Sequence, residues 1–382
     1  MITTPLTDAF VRGAAELENT ARGVRPHRLP AWVRTRFPDP QLMGAESRPS
    51  GLRLVMATAA RTVELVSHPT CASYRGIVRP RGSVDLVVDG ELVASEQLDG
   101  GDQIEIDPLA GTPELHAGAL CTTRFTGLAE GDKVVEIWLP HNETMDLVEL
   151  RTDAPVRPVE SDRRVWLHHG SSISNGSNAT TPTRIWPVVA ARRGDVELHN
   201  LGFSGSALVD PFVARVMRDR PADLISVKLG INVVNFDVMR LRAFVPAVHG
   251  FLDTIRDGHP RTPLVLMSPI FCGIHEDTPG PGGMDLDALA AGEIVYTATG
   301  PHGTAPQLTL RVIREALASL VERREDDPNL HYLDGTRLYG EQDAVTHPLP
   351  DALHPDTAAH ELIGERFSRY AFAPGGPFAE QL

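Results

Sequence analysis

Cysteine, lysine and aromatic residues are all scarce in this 382-residue chain, and each scarcity closes off a class of protein. The three cysteines, Cys71, Cys121 and Cys272, suggest no disulfide framework, and none lies in a Cys-x-x-Cys pattern for metal or redox chemistry. They read as buried free thiols. Lys133 and Lys228 are the only lysines, so the 36 basic residues are nearly all arginine, and 50 acidic residues outnumber them. A formal net charge of −14 argues against nucleic acid or an anionic membrane as partner, since phosphates are met by basic patches. No apolar run is long enough to span a bilayer, and Met1 to Arg22 lacks the basic cluster and continuous apolar stretch of a secretory signal. A cytoplasmic protein is the expectation. The length exceeds the usual size of one domain and allows a large core.

What the chain does have is a series of Gly-, Ser- and Asn-rich turns placed where apolar runs end. Gly170-Ser171-Ser172-Ile173-Ser174-Asn175-Gly176 follows Val165-Trp166-Leu167, which reads as a buried strand. Such a turn lifts a hydroxyl to the strand's carboxyl edge, where open α/β sheets place ligands. Ser172 is therefore a candidate nucleophile, with Ser171 a rival one residue out of register. A serine hydroxyl needs an oriented base, and Asp351-Ala352-Leu353-His354 supplies both parts, His354 as base and Asp351 as orienter. Asn200-Leu201-Gly202-Phe203-Ser204-Gly205 and Leu229-Gly230-Ile231-Asn232 end two further strands on the same edge. The N–H groups of Ser172 and Gly205 and the side-chain amide of Asn232 are candidate donors to an oxyanion. Taken singly, Gly205 reads equally as a tight turn, Asn232 as a helix cap and Asp-x-x-His as coincidence.

Taken in order, Gly-x-Ser-Ile, Asn-x-Gly-x-x-Gly, Gly-x-Asn and Asp-x-x-His-Pro resemble the four blocks of the SGNH hydrolase (GDSL esterase/lipase) superfamily. The resemblance covers residues 163 to 370 and includes Thr183-Arg184-Ile185-Trp186-Pro187, which is similar to the start of the helix after the nucleophile. It implies that Ser172, Asp351 and His354 are catalytic and that Ser172, Gly205 and Asn232 form the oxyanion hole. Two positions depart from the pattern: Ser171 stands where the family's eponymous Asp precedes the nucleophile, and Val233 where an Asp often follows the third block. Neither is a triad position.

Around the motifs, helical patterns near 185–193, 207–219, 237–257, 306–324 and 357–370 alternate with apolar runs near 165–169, 196–200, 223–229, 263–268 and 330–334. That alternation predicts a C-terminal three-layer α/β/α domain with a parallel sheet over residues 160–375. Before it, residues 1–155 read as an N-terminal antiparallel β-sandwich of jelly-roll type with an extension at its start. Its short strands from Leu52–Met56 to Leu147–Thr152 are separated by turns such as Asp89-Gly90. Asp153 to Pro158 reads as a stiff extended link. Aromatics are sparse in the sandwich, with Tyr74 and Trp138 the main ones, which favours a structural role over sugar binding. The stretch Cys272 to Gly303, rich in Gly and Pro, is a candidate lid or an inert excursion. His275 and His302 within it read as solvated loop histidines, and no metal site is indicated.

The overall plan, a β-sandwich before an SGNH domain, resembles GDSL-type acyltransferases of natural-product tailoring in tetracycline-type polyketide pathways. That resemblance implies serine-dependent transfer from a thioester such as salicylyl-CoA to an alcohol of a small molecule, with acyl-CoA as co-substrate and no other cofactor. The alternative with the same residues is an intracellular carboxylesterase or carbohydrate deacetylase.

Overall fold

The computed structural model describes residues 1–77, 79–108, 110–301 and 306–379. It divides into two compact units, one of Met1–Asp162 with Thr180–Thr183, the other of Arg163–Ala179 with Arg184 onward.

The first unit is a sandwich of an eight-stranded and a six-stranded sheet around one core. Val63, Leu65, Phe125 and Leu147 come to this core from one sheet, and Leu54, Met56, Leu86 and Ile137 from the other. Cys121–Thr126 shows how the core is fed: Cys121, Thr123 and Phe125 are buried while the residues between them are exposed, the period of two of a half-buried strand. The pairings are antiparallel as expected, apart from Thr62–Tyr74, which pairs in parallel with Asp102–Ile106. Two expectations are corrected. The strands of the sandwich do not start at Leu52 after an extension, because Ile2–Thr4, Val11–Arg12, Glu16–Asn19 and Val24–His27 are already strands of its sheets. The expected link is partly an edge strand, Val156–Arg157, paired with Thr58 and Ala57. Trp138 is buried with the Arg53 guanidinium 4.6 Å from its ring centre, so it is core rather than a stacking platform.

The second unit is an α/β domain. Its parallel sheet contains β1 (Val165–Gly170), β2 (Glu197–Gly202), β3 (Leu224–Lys228), β4 (Leu264–Met267) and β5 (Leu330–Leu333), in the order β2-β1-β3-β4-β5. β3 and β4 are buried at every position, as strands covered on both faces must be. Alternation along β1 shows the two layers. Trp166 stacks on Phe367 of helix Thr357–Ala371 at 5.1 Å, whereas His169 on the other face stacks on Phe251 of helix Leu241–Gly258 at 5.9 Å. The longer helices also include Trp186–Arg193, with Pro187 in its first turn as expected, Pro211–Asp219 and Leu310–Glu322. The strand order reverses between β1 and β3, and the crevice outside their carboxyl ends is where such a sheet binds ligands.

The described residues of the stretch from 272 onward carry local structure of their own. Gly282–Met284 and Tyr296–Ala298 form a hairpin around helix Leu286–Ala290, which Asp285 caps by accepting from the amides of Asp287 and Ala288. His275 corrects an expectation: it is fully buried, with Nδ1 at 3.2 Å from the Thr278 carbonyl and Nε2 at 3.1 Å from Asn235. It braces the loop from inside. His302 and Gly303 lie outside the described residues.

Candidate active site

Beyond β1 the chain turns at once into a single helical turn, Ser172–Asn175, closed by Gly176 at φ +106°. Its internal hydrogen bonds start at the amides of Ser174 and Asn175, both donating to the Ser171 carbonyl. The N–H of Ser172 is thus one of the donors that a helix start leaves without an internal acceptor.

The turn Asp351-Ala352-Leu353-His354 folds back on itself. Ala352 lies at φ +64°, a left-handed conformation that costs a non-glycine residue about 1 kcal/mol or more. That bend brings four donors onto one carboxylate. Asp351 Oδ1 accepts from the amides of Leu353 at 3.0 Å and His354 at 2.6 Å, and Oδ2 accepts from His354 Nδ1 at 2.7 Å and Asn178 Nδ2 at 3.0 Å. Burial alone would raise the pKa of Asp351, but the hydrogen bond to His354, its charge and the two amides outweigh burial and hold it below the ordinary value. Because Asp351 takes the Nδ1 proton, His354 presents the Nε2 lone pair to Ser172 Oγ, 2.9 Å away. Ser172, His354 and Asp351 are each only 8 % exposed, so the chain of hydrogen bonds is largely shielded from water.

The two serines differ in the same contact. Ser171 Oγ is buried with no hydrogen-bond partner among the described residues, while Ser172 Oγ faces the imidazole. Gly205 and Asn232 stand at the carboxyl ends of β2 and β3. Gly205 adopts φ +70°, and the hydrogen bond of its turn runs from the Ser206 amide to the Phe203 carbonyl, leaving the Gly205 N–H out of it. Asn232 Oδ1 accepts from the Ala207 amide at 3.1 Å, which fixes the orientation of the side-chain amide and turns Nδ2 away from that contact.

Two residues at the site carried no sequence signal. Asn178 reaches Asp351 from 173 positions away in the chain. Tyr296, on the hairpin of the Gly/Pro-rich stretch, donates its amide to the Asp351 carbonyl at 2.9 Å and sets its ring edge-on to His354, with centroids 5.5 Å apart. Cys272 lies close by, with its Sγ 3.5 Å from the Ala352 carbonyl, and burial pushes its thiol up to about 12, which leaves it inert as a nucleophile. Among the described residues there is no group of three or more His, Cys, Asp or Glu side chains placed to hold a metal ion, and no helix long and apolar enough to cross a membrane.

The chemistry this geometry permits is proton transfer from a serine hydroxyl to an oriented imidazole beside N–H donors, the arrangement of acyl transfer. Comparison with known proteins points the same way. Residues 169–362 match the GDSL-like Lipase/Acylhydrolase family, and residues 9–148 match the SsfX3 N-terminal domain. Among solved structures, the chain is similar to the salicylyl-acyltransferase SsfX3 from a tetracycline biosynthetic pathway, with 27% identity, a TM-score of 0.78 and 96% of each chain covered. A lipase-like GDSL protein from Bacteroides ovatus ATCC 8483 shares the fold at 18% identity and a TM-score of 0.69, over 96% of this chain and 95% of that one. So does a family two carbohydrate esterase from Clostridium thermocellum in complex with cellohexaose, at 13% and 0.59, over 94% and 97%. The search of curated proteins found no match.

Proposed function

Since the chain belongs to the GDSL-like lipase/acylhydrolase family, we propose that this enzyme is a serine acyltransferase, moving an acyl group from a thioester such as salicylyl-CoA to an alcohol of a small-molecule natural product. The observation that carries the reading is the unbroken hydrogen-bonded chain from Asp351 through His354 to Ser172 Oγ. Similarity over both modules to a salicylyl-acyltransferase favours transfer over hydrolysis.

In this reading Ser172 Oγ attacks the thioester carbonyl as its proton passes to His354 Nε2. Asp351 holds the imidazolium that forms, and the N–H groups of Ser172 and Gly205 with Nδ2 of Asn232 receive the negative charge on the carbonyl oxygen. The C–S bond breaks, the thiolate leaves with the proton from His354, and the acyl group remains on Ser172. An acceptor alcohol then gives its proton to His354 Nε2 and attacks the acyl-serine, releasing the new ester and restoring the Ser172 hydroxyl. Tyr296 flanks the imidazole that activates the acceptor.

The test is intact-protein mass spectrometry after incubation with a panel of acyl thioesters, comparing wild type with Ser172→Ala. An adduct on wild type alone that survives in buffer and is discharged by an added alcohol is the expected result. Rapid loss to water would instead make the enzyme an esterase or deacetylase, and an adduct that persists on Ser172→Ala would remove Ser172 as nucleophile.

A further inference from the structure

Beneath the Ser172 turn runs a buried line of polar side chains that the reaction itself does not use. Trp166 Nε1 donates to Ser226 Oγ at 2.8 Å; Ser226 Oγ lies 2.8 Å from His168 Nδ1, and His168 Nε2 lies 2.8 Å from Ser174 Oγ. All four residues are completely buried. The line crosses from β1 to β3 and ends on the helical turn that carries the nucleophile.

The direction of its protons follows from what each group can do. An indole N–H only donates, so Ser226 Oγ accepts there. Among the described residues the acceptor within reach of the Ser226 hydroxyl proton is His168 Nδ1, and leaving a buried hydroxyl proton without an acceptor is costly. His168 is therefore the tautomer with its proton on Nε2, and it donates to Ser174 Oγ. Burial also drives its pKa well below the ordinary value, so it stays neutral.

Ser174 is in turn clamped by its other neighbours. Its carbonyl accepts from Asn200 Nδ2 at 2.9 Å. A Cβ at Gly202 would stand 2.5 Å from its carbonyl carbon, and one at Gly170 would stand 2.3 Å from its Oγ, so the turn lies on β1 and β2 with no clearance. A one-turn helix has too few internal hydrogen bonds to hold its own orientation.

We infer that His168 is a positioning residue: by donating from Nε2 to Ser174 Oγ it sets the Ser172–Asn175 turn so that Ser172 Oγ meets His354. The inference rests on Ser172 being the nucleophile. His168 touches no reacting atom and acts only through Ser174.

The two ring nitrogens can be separated by substitution. A glutamine amide reaches roughly the place of Nε2 and an asparagine amide only that of Nδ1, so His168→Gln keeps the link to Ser174 and His168→Asn breaks it. The measurement is the second-order rate of labelling by a fluorophosphonate probe, with melting temperatures to verify folding. His168→Asn and Ser174→Ala are each expected to slow labelling roughly ten- to hundredfold, the scale of an ångström-level misplacement. His168→Gln recovers most of that loss, and the His168→Asn, Ser174→Ala double variant is no slower than the slower single, since both break one link. With an activated ester the loss falls on kcat and leaves KM in place. Asparagine matching glutamine, or additive losses in the double variant, would overturn the inference. If His168→Asn does not fold, Ser174→Ala decides alone, and labelling at the wild-type rate overturns it. A wild-type enzyme that does not label removes the serine reading itself, and this inference with it.

Discussion

Replacing Asp351 by asparagine tests the site most sharply, because the change is nearly isosteric and its consequence follows from counting donors. In the native protein four N–H groups converge on two carboxylate oxygens. Asparagine turns one of those oxygens into a further donor. If its NH2 takes the place of Oδ2, it faces Asn178 Nδ2 and His354 Nδ1, and His354 must move its proton to Nε2 to accept from it. Nε2 then has no lone pair for the Ser172 proton. If the NH2 takes the place of Oδ1, it faces two backbone amides that now sit 2.6 and 3.0 Å from that oxygen, and the strained turn at Ala352 must open. Both outcomes disable the base. The expected loss in turnover of an activated ester is roughly ten-thousandfold, the scale of a wrong imidazole tautomer in a serine triad, or about 5.5 kcal/mol. Labelling by a fluorophosphonate should fall in parallel while the protein remains folded. Stability offers a second readout with a definite sign. The folded state lowers the pKa of Asp351, so the carboxylate's contribution is present above its unfolded pKa and lost as the pH falls through the folded one. Denaturation midpoints of wild type and variant should therefore converge in acid. Turnover by Asp351→Asn within about tenfold of wild type would refute the tautomer argument.

Three further outcomes follow from single contacts. Asn232→Ala removes a proposed oxyanion donor whose orientation the Ala207 amide fixes, and should cost roughly a hundredfold or more in kcat; wild-type turnover would remove Asn232 from that role. Tyr296→Ala takes away the ring beside His354 and should raise the fraction of acyl-enzyme lost to water relative to alcohol, measured as the ratio of acid to ester product. An unchanged ratio would show that the hairpin does not govern acceptor choice. Lys228→Met concerns a buried amine with no hydrogen-bond partner among the described residues, which burial lowers from 10.5 to about 8. Below about 8 the folded state carries the whole cost of the buried charge, roughly 3 kcal/mol at 1.36 per unit; above it the amine sheds its proton, and the cost fades as the pH rises toward 10.5. Urea denaturation should find the variant more stable at pH 7 and the gap nearly closed at pH 10, and a gap independent of pH would contradict the assignment.

How far the sequence could be read depended on whether a feature is held by near neighbours or by distant ones. Asp351 and His354 were legible because three residues and one tight turn bring them together. Asn178 was not, because nothing in Asn175-Gly176-Ser177-Asn178 says that a carboxylate far along the chain needs a fourth donor. Tyr296 was hidden for the same reason inside a stretch notable only for Gly and Pro, and His275 looked solvated because a loop composition does not show that Asn235 and Thr278 close around it.

The two units differ in legibility for a reason that lies in their sheets. Both faces of the parallel sheet are covered, so β4 is a continuous apolar run and β3 one interrupted only by Ser226 before it ends at Lys228, and such runs stand out from the helices between them. Sandwich strands at the start of the chain have no such burden. Glu16–Asn19 presents only half-buried and exposed residues and is a strand because Val24–His27 pairs with it; the first 30 residues thus read as an extension until the pairing is seen. The same asymmetry bears on the site. Ser172, Gly205 and Asn232 follow β1, β2 and β3, which are neighbours in the parallel sheet, so once those runs are recognised their departure from one sheet edge is a consequence of strand order. Residues that come to the site from loops have no such geometry to inherit, and His168, hidden within an apolar-looking strand, shows the converse: a polar residue in a doubly buried strand is itself a signal, since burying it is costly unless it is hydrogen-bonded, and both ring nitrogens of His168 are engaged.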